Sequence, residues 1–323
     1  MSETSMITTG ARPPQPDWSS VTAESLAAYR VAENHWRASG AARSILGQPD
    51  PGATIDWQRV TLPGRDVPVR VYRPSGASQA PLPLVLHVHG GGFVGTAAQC
   101  DWANSHLAAR LPALVVSVEH RLLDRETPLS AATDDGWGVL QDVVRNAERW
   151  GVDPARVAVF GESCGALISA LSAVRAREAG LALVAQVLVN PAADVTGTMY
   201  AHASMAEYGG GPGLTVAQLR LFQRLAVPPG TDARTVSPLH IEDLGSVAPA
   251  LVVVPTHDAV ADHGRRYAER LSAAGTTVRL TEYPEAVHAF LSLPEVQSQA
   301  EPARAEILEF LRATLTERGR TTP

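Results

Sequence analysis

The chain has 323 residues, of which 45% are hydrophobic and 19% charged, the balance of a soluble globular protein of one large domain or two ordinary ones rather than a disordered one. Against 33 acidic residues stand 27 basic ones, all arginine, for a net charge of -6 and no basic stripe, which excludes the electrostatic footprint of a nucleic-acid binder. No apolar run approaches the roughly 20 residues that span a bilayer, which excludes stable membrane insertion by a helix, and two cysteines, Cys100 and Cys164, are too few for a disulfide framework.

The opening MSETSMITTGARPPQPDW has neither the basic n-region nor the apolar h-region of a secretory signal, so the cytoplasm is the expected compartment. Residues 1–20, rich in Ser, Thr and Pro, are expected to form a mobile tail ahead of a single domain over 21–323. From Ala23 to Ile45, the residues Leu26, Tyr29, Val31, Trp36 and Ile45 fall at roughly helical spacing and predict an appended helix. Two runs, TIDWQRVTL and VPVRVYRP, follow with Gly64 between them and predict an antiparallel hairpin. Then come PLPLVLHVH, PALVVSVEH, RVAVFG, LVAQVLVN, PALVVVPT and TTVRLTEYP, short Val/Leu-rich runs suited to strands buried on both faces of a parallel sheet. Helices are predicted among them at about 97–111, 131–150, 164–178, 262–274 and 302–317. The alternation predicts an α/β fold, an eight-stranded, mostly parallel sheet flanked by helices. Between Asn190 and Ala250, YGGGPGL and the amphipathic TVAQLRLFQRLAV break the rhythm. That interval is too long for a structureless loop and predicts a helical cap over about 193–235, packing with 21–46 over the carboxyl edge of the sheet.

In VAVFGESCGALISAL an apolar strand runs through Gly161, Glu162, Ser163, Cys164 and Gly165 into a helix of small residues. This is the strand–turn–helix context of a G-x-S-x-G nucleophile elbow, with glycines that allow a sharp turn and close strand–helix approach. By position the nucleophile is Ser163, while Cys164 offers its backbone N–H at the helix N-terminus. A chance pentapeptide with a helix-capping serine is the competing explanation, and the flanking strand and helix weigh against it.

Directly after the third predicted strand stand His89, Gly90, Gly91, Gly92 and Phe93. Consecutive glycines can turn their N–H groups towards one point, as an oxyanion hole requires, and Cys164 adds a further donor. His87 and His89 are spaced as two metal ligands on one strand face, but no third ligand accompanies them, and no metal or other cofactor is expected. A serine hydroxyl needs a base, oriented by an acid, and in such folds the acid precedes the histidine. THDAVADHG supplies Asp258 and Asp262; Asp258 lies nearer the strand end, whereas Asp262 falls inside the next predicted helix. His288, in EAVHAFLSLP after the last predicted strand, is the expected base, because His257 and His263 flank the acid too closely in sequence to sit opposite the serine.

With these residues placed, the chain resembles the hormone-sensitive-lipase-like α/β-hydrolases, the bacterial family IV esterases, over about residues 20–315. The resemblance rests on HGGGF at 89–93, GESCG at 161–165, SPL at 237–239, Asp258 and His288. It implies a capped α/β-hydrolase fold and cofactor-free hydrolysis of short-acyl carboxylic esters, with a small-molecule ester as partner. Homodimerisation is implied by the resemblance alone. Carried over residue by residue, the oxyanion donors are Gly91, Gly92 and Cys164, with His89 and Gly90 supporting the loop. Departures accompany the match: Cys164 stands where relatives carry alanine and Ala166 where they carry glycine. EHRLLDRETPL at 119–129 puts His120 in place of a tyrosine, and Asp258 is followed by Ala259 and Val260 rather than Pro-Leu. These departures keep open a deacylase, amide hydrolase or acyl transferase or cyclase acting on a specialised metabolite. A non-catalytic ligand-binding module would lack a triad position, and none is missing. The Cys164 thiol is expected to narrow the pocket and to sensitise the protein to thiol reagents.

Overall fold

The computed structural model describes residues 10–76, 80–211 and 213–317. A hairpin comes first, β1 (Ala53–Leu62) and β2 (Arg65–Pro74), followed by β3 (Leu82–Val88), β4 (Leu114–Val118), β5 (Val152–Glu162), β6 (Ala185–Val189), β7 (Ala250–His257) and β8 (Val278–Val287). They form one sheet in the order β1-β2-β4-β3-β5-β6-β7-β8. β2 runs antiparallel to β1 and β4, and every other pairing is parallel. The hairpin closes at Leu62 and Arg65, and Gly64 in the two-residue turn takes φ 78°, a conformation that favours glycine.

The continuous apolar runs became central strands for the expected reason: every residue of β3, β4 and β6 is buried. Along β3, Leu84 and Leu86 pack on one face with Leu140 and Leu167, while Val85 packs on the other with Leu107 and Leu311. Each such side chain stabilises the fold by about 1.5–3 kcal/mol. The helices supplying those faces are α3 (Asp101–Arg110), α4 (Leu129–Arg145), α6 (Cys164–Glu178), α9 (Ala261–Ala273) and α10 (Ala300–Glu317), with the single turns α2 (Arg43–Leu46) and α5 (Ala147–Trp150) between elements. Among the described residues no helix is long and apolar enough to cross a membrane.

Two helical segments meet beyond the carboxyl edge of the sheet. One is α1 (Ala23–Arg37); the other holds α7 (Ala203–Tyr208) and α8 (Val216–Ala226), which follow β6. Leu26 of α1 and Leu221 of α8 share a cluster with Trp18 and Val94.

Two expectations change here. Residues 1–9 of the expected tail lie outside the described residues, but from residue 10 onward the segment is anchored: Trp18 is buried, and Arg12 forms an ion pair with the fully buried Glu33 at 2.8 Å. Its Ser/Thr/Pro-rich composition concealed one tryptophan and one arginine that together tie it down. In α1, Val31 faces solvent, and the inward face carries Leu26, Glu33 and Trp36. Counting apolar residues alone misplaced that face, because a buried glutamate with two arginine partners lies on it.

Candidate active site

Parallel strands carry their C-termini to one edge, which is how residues far apart in sequence meet. The glycine loop leaves β3, Ser163 follows β5, Asp258 follows β7 and His288 follows β8. At the β5–α6 turn Ser163 takes φ 57° and ψ -118°, a strained conformation that lifts its side chain out of the turn. The turn is feasible because the flanking residues lack side chains: a Cβ on Gly161 would lie 2.2 Å from the Gly165 carbonyl oxygen, and one on Gly165 would lie 2.1 Å from that of Val88.

Ser163 Oγ lies 2.8 Å from His288 Nε2, and His288 Nδ1 lies 2.7 Å from Asp258 Oδ2. The second oxygen of Asp258 accepts the Val260 N–H at 3.1 Å, so the carboxylate is held on both sides while 1% exposed. Burial pulls the His288 pKa down, but the adjacent carboxylate and its hydrogen bond outweigh burial, with help from Glu162, so the net shift is upward. A hydroxyl on an imidazole that is itself anchored to a buried carboxylate can pass its proton to the ring as it attacks an electrophile.

Gly90, Gly91, Gly92, Ser163, Cys164 and His288 line one cavity of about 560 Å³. Its other walls come from Trp18, Tyr29 and Trp36 on one side and Leu214, Leu219 and Phe222 on the other. Gly91 has φ 94°, and a Cβ there would meet the Val94 carbonyl oxygen at 1.8 Å. Among the described residues no hydrogen-bond acceptor takes the N–H of Gly91, Gly92 or Cys164. His89 bonds the Gly90 carbonyl through Nδ1 and stacks on His120, their ring centroids 4.2 Å apart. The substitution of histidine for tyrosine at 120 therefore supplies a ring that backs the glycine loop. His87 bonds Ser117 at 2.8 Å inside the sheet, away from the cavity lining.

The other candidates are engaged elsewhere. Asp262 accepts the Ser204 N–H and pairs with Arg265, fastening α7 to α9. His263 is fully buried edge-on to His202, and His257 stacks on Tyr208. The Cys164 thiol is 2% exposed, and burial pushes its pKa up to about 12. The thiolate is the reactive form, so this corrects the expected sensitivity to thiol reagents. Missed in the sequence was Glu162, inside the elbow motif itself, whose buried carboxylate accepts the Ser292 hydroxyl. The signal was there, a glutamate beside the serine in a buried strand end.

The family profile for the alpha/beta hydrolase fold matches residues 85–292. The chain belongs to the α/β-hydrolase family. Carboxylesterase NlhH of Mycobacterium tuberculosis is 36% identical over 275 residues, covering 82% of this chain and 84% of that protein. Esterase LipI of the same species is 34% identical over 265 residues, covering 78% and 80%. Among solved structures, an ester hydrolase from the metagenome of Lake Arreo superposes with a TM-score of 0.83 at 30% identity, covering 93% of this chain and 92% of that one. This α/β-hydrolase is a carboxylic ester hydrolase, and the resemblance to the hormone-sensitive-lipase-like esterases holds.

Proposed function

We propose that the protein hydrolyses short-acyl carboxylic esters through a covalent acyl-enzyme, with Ser163 as nucleophile, His288 as general base and Asp258 as its anchor. The observation that carries this reading is the continuous hydrogen-bonded path from Ser163 through His288 to Asp258, 2.8 and 2.7 Å long in its two steps, opening on a cavity. As Ser163 Oγ bonds to the ester carbonyl carbon, its proton passes to His288 Nε2 and the carbonyl π electrons move to oxygen. The resulting oxyanion is received by the N–H groups of Gly91, Gly92 and Cys164, whose lack of other acceptors suits the task. Collapse breaks the bond to the alcohol, which leaves with the proton from His288. Water then repeats the sequence on the acyl-enzyme, releasing the acid and restoring Ser163.

The short-acyl preference is supported by the bulk of the walls: Phe93 and Phe222 line the cavity with Trp18 and Trp36. The helical cap, formed by about 21–46 and 193–235, supplies Trp36 and Phe222 of those walls, while Trp18 precedes it and Phe93 belongs to the glycine loop. Turnover of p-nitrophenyl esters from acetyl to decanoyl should peak at the short end, with one matched anilide turned over far more slowly. Equal activity on the anilide would favour an amide hydrolase. Ser163→Ala should lose on the order of 10⁴-fold or more in kcat, whereas Cys164→Ala keeps the backbone N–H and should stay within a few-fold of the parent. Wild-type turnover by Ser163→Ala would sink the mechanism, and a folded but inactive Cys164→Ala would transfer the chemistry to the thiol.

A further inference from the structure

Gly90, Gly91 and Gly92 carry no side chains, and the one neighbouring ring that reaches their peptide planes, His89, holds only the Gly90 carbonyl, at 2.9 Å, yet an oxyanion donor works only if its N–H is aimed beforehand. In a trans peptide the N–H points opposite to the carbonyl of the same plane, so whatever holds a loop carbonyl also aims the following N–H. Helix α1 holds this loop at several points. Arg30, Asn34 and Arg37 lie at i, i+4 and i+7, one stripe of the helix. Arg30 Nε donates to the Phe93 carbonyl at 2.8 Å and Nη2 to the Leu123 carbonyl at 2.6 Å. The two strands of chain it bridges are themselves joined, since the Leu123 N–H donates to the Gly92 carbonyl at 2.7 Å. Asn34 forms a two-bond clasp on Gly95: Nδ2 donates to the Gly95 carbonyl at 2.8 Å, and the Gly95 N–H donates to Oδ1 at 2.9 Å. Arg37 Nη1 holds Gln99 Oε1 at 2.7 Å, and Gln99 Nε2 reaches the Gly90 carbonyl at 3.3 Å, the plane that carries the Gly91 N–H.

We propose that Arg30 and Asn34 are positioning residues for the oxyanion loop: by gripping Phe93, Leu123 and Gly95 they hold the chain just past Gly92, and with the Gly90 carbonyl pinned at the other end by His89 and Gln99 this fixes the direction of the Gly91 and Gly92 N–H groups between the two anchors. The N-terminal helix then acts on turnover itself and not only on how a substrate fits. This rests on the proposed role of those N–H groups. Arg30 and Asn34 are not among the described residues that line the cavity, so their influence reaches the substrate through the loop.

The test compares p-nitrophenyl acetate with its thiono analogue, in which sulfur replaces the carbonyl oxygen and accepts hydrogen bonds from the hole poorly. Wild-type protein should turn over the oxygen ester much faster than the thiono ester. Asn34→Leu and Arg30→Met should lower kcat on the oxygen ester on the order of tenfold to a hundredfold, with KM within about twofold. The oxygen-to-thiono ratio should shrink with it, a change that loss of global stability in a still-folded variant does not produce. Arg30→Lys, which keeps one donor, should retain more of both and serves in place of Arg30→Met should that variant not fold by circular dichroism. If wild-type protein does not discriminate between the two esters, the oxyanion role of Gly91, Gly92 and Cys164 is wrong and this inference falls with it. If wild-type protein discriminates but folded Asn34→Leu and Arg30 variants keep both kcat and the ratio, the positioning role alone is wrong.

Discussion

Glu162 is a buried carboxyl one residue before the serine, with Oε2 on the Ser292 hydroxyl and Oε1 without a partner among the described residues. Burial raises its pKa, and the Ser292 hydrogen bond and the nearby His288 oppose that rise. Its charge in turn adds to the larger effect of Asp258 in holding the His288 pKa above the ordinary 6.5. The base must be neutral to accept the serine proton, so kcat/KM should rise with pH through a midpoint above 6.5. Glu162→Gln keeps an acceptor for Ser292 and removes the charge, which should move that acid limb to lower pH. A pH–rate profile of the variant checks this, and an unmoved limb would exclude Glu162 from the electrostatics of the base. The three residues on the path from serine to carboxylate were legible in the sequence because each follows a recognisable apolar run. Glu162 was passed over because a carboxylate in a motif's variable position looks solvent-facing until the strand end is seen to be buried.

The β5–α6 elbow shows what an element can dictate through missing atoms. A methyl on Gly165 would collide with backbone of β3, at 2.1 Å from the Val88 oxygen and 2.5 Å from the His89 oxygen. Backbone cannot swing aside as a side-chain tip can, so Gly165→Ala should destabilise by about 1–3 kcal/mol or more. It should also lower kcat by displacing the start of the glycine loop, and urea melts beside turnover of the folded fraction measure both. Elements of this kind were well signalled: α6 and the long Val/Leu strands follow directly from hydrophobic runs and glycine punctuation. The functional face of α1 was not: beside the buried Leu26 and Trp36 runs a polar stripe, Arg30, Asn34 and Arg37, satisfied by atoms 61 or more residues away in sequence. Apolar periodicity can report the packed side chains of such a helix but not the hydrogen bonds by which it also docks.

Among the described residues five histidines are buried, and in four of them, His87, His89, His120 and His263, burial carries the pKa furthest down. Burial lowers His87 to about 3 and His89, His120 and His263 to about 4, each from 6.5. In the unfolded chain all four take up protons near 6.5, so below that pH the unfolded state binds more protons than the folded one. Their contribution to stability should be complete above 6.5 and decline as pH falls towards 4, continuing towards 3 for His87. Urea midpoints at pH 7, 5.5 and 4.5 should fall in that order, and replacing His120 by phenylalanine should flatten the slope. The overall architecture was legible, because alternating apolar runs and helices admit few sheet topologies, but the placement of β4 between β2 and β3 is set by the right-handed crossover and by no local signal. The cavity has two unlike sides, one from Trp18, Tyr29 and Trp36 and the other from Leu214 and Leu219. Only the first side draws residues, Tyr29 and Trp36, from the helix whose Arg30 and Asn34 clasp the glycine loop. Changes of substrate preference are thus freest to accumulate at Leu214 and Leu219, where a new side chain alters the cavity wall without disturbing Arg30 or Asn34; on the other side, selection for a new substrate must also preserve the speed of the chemistry.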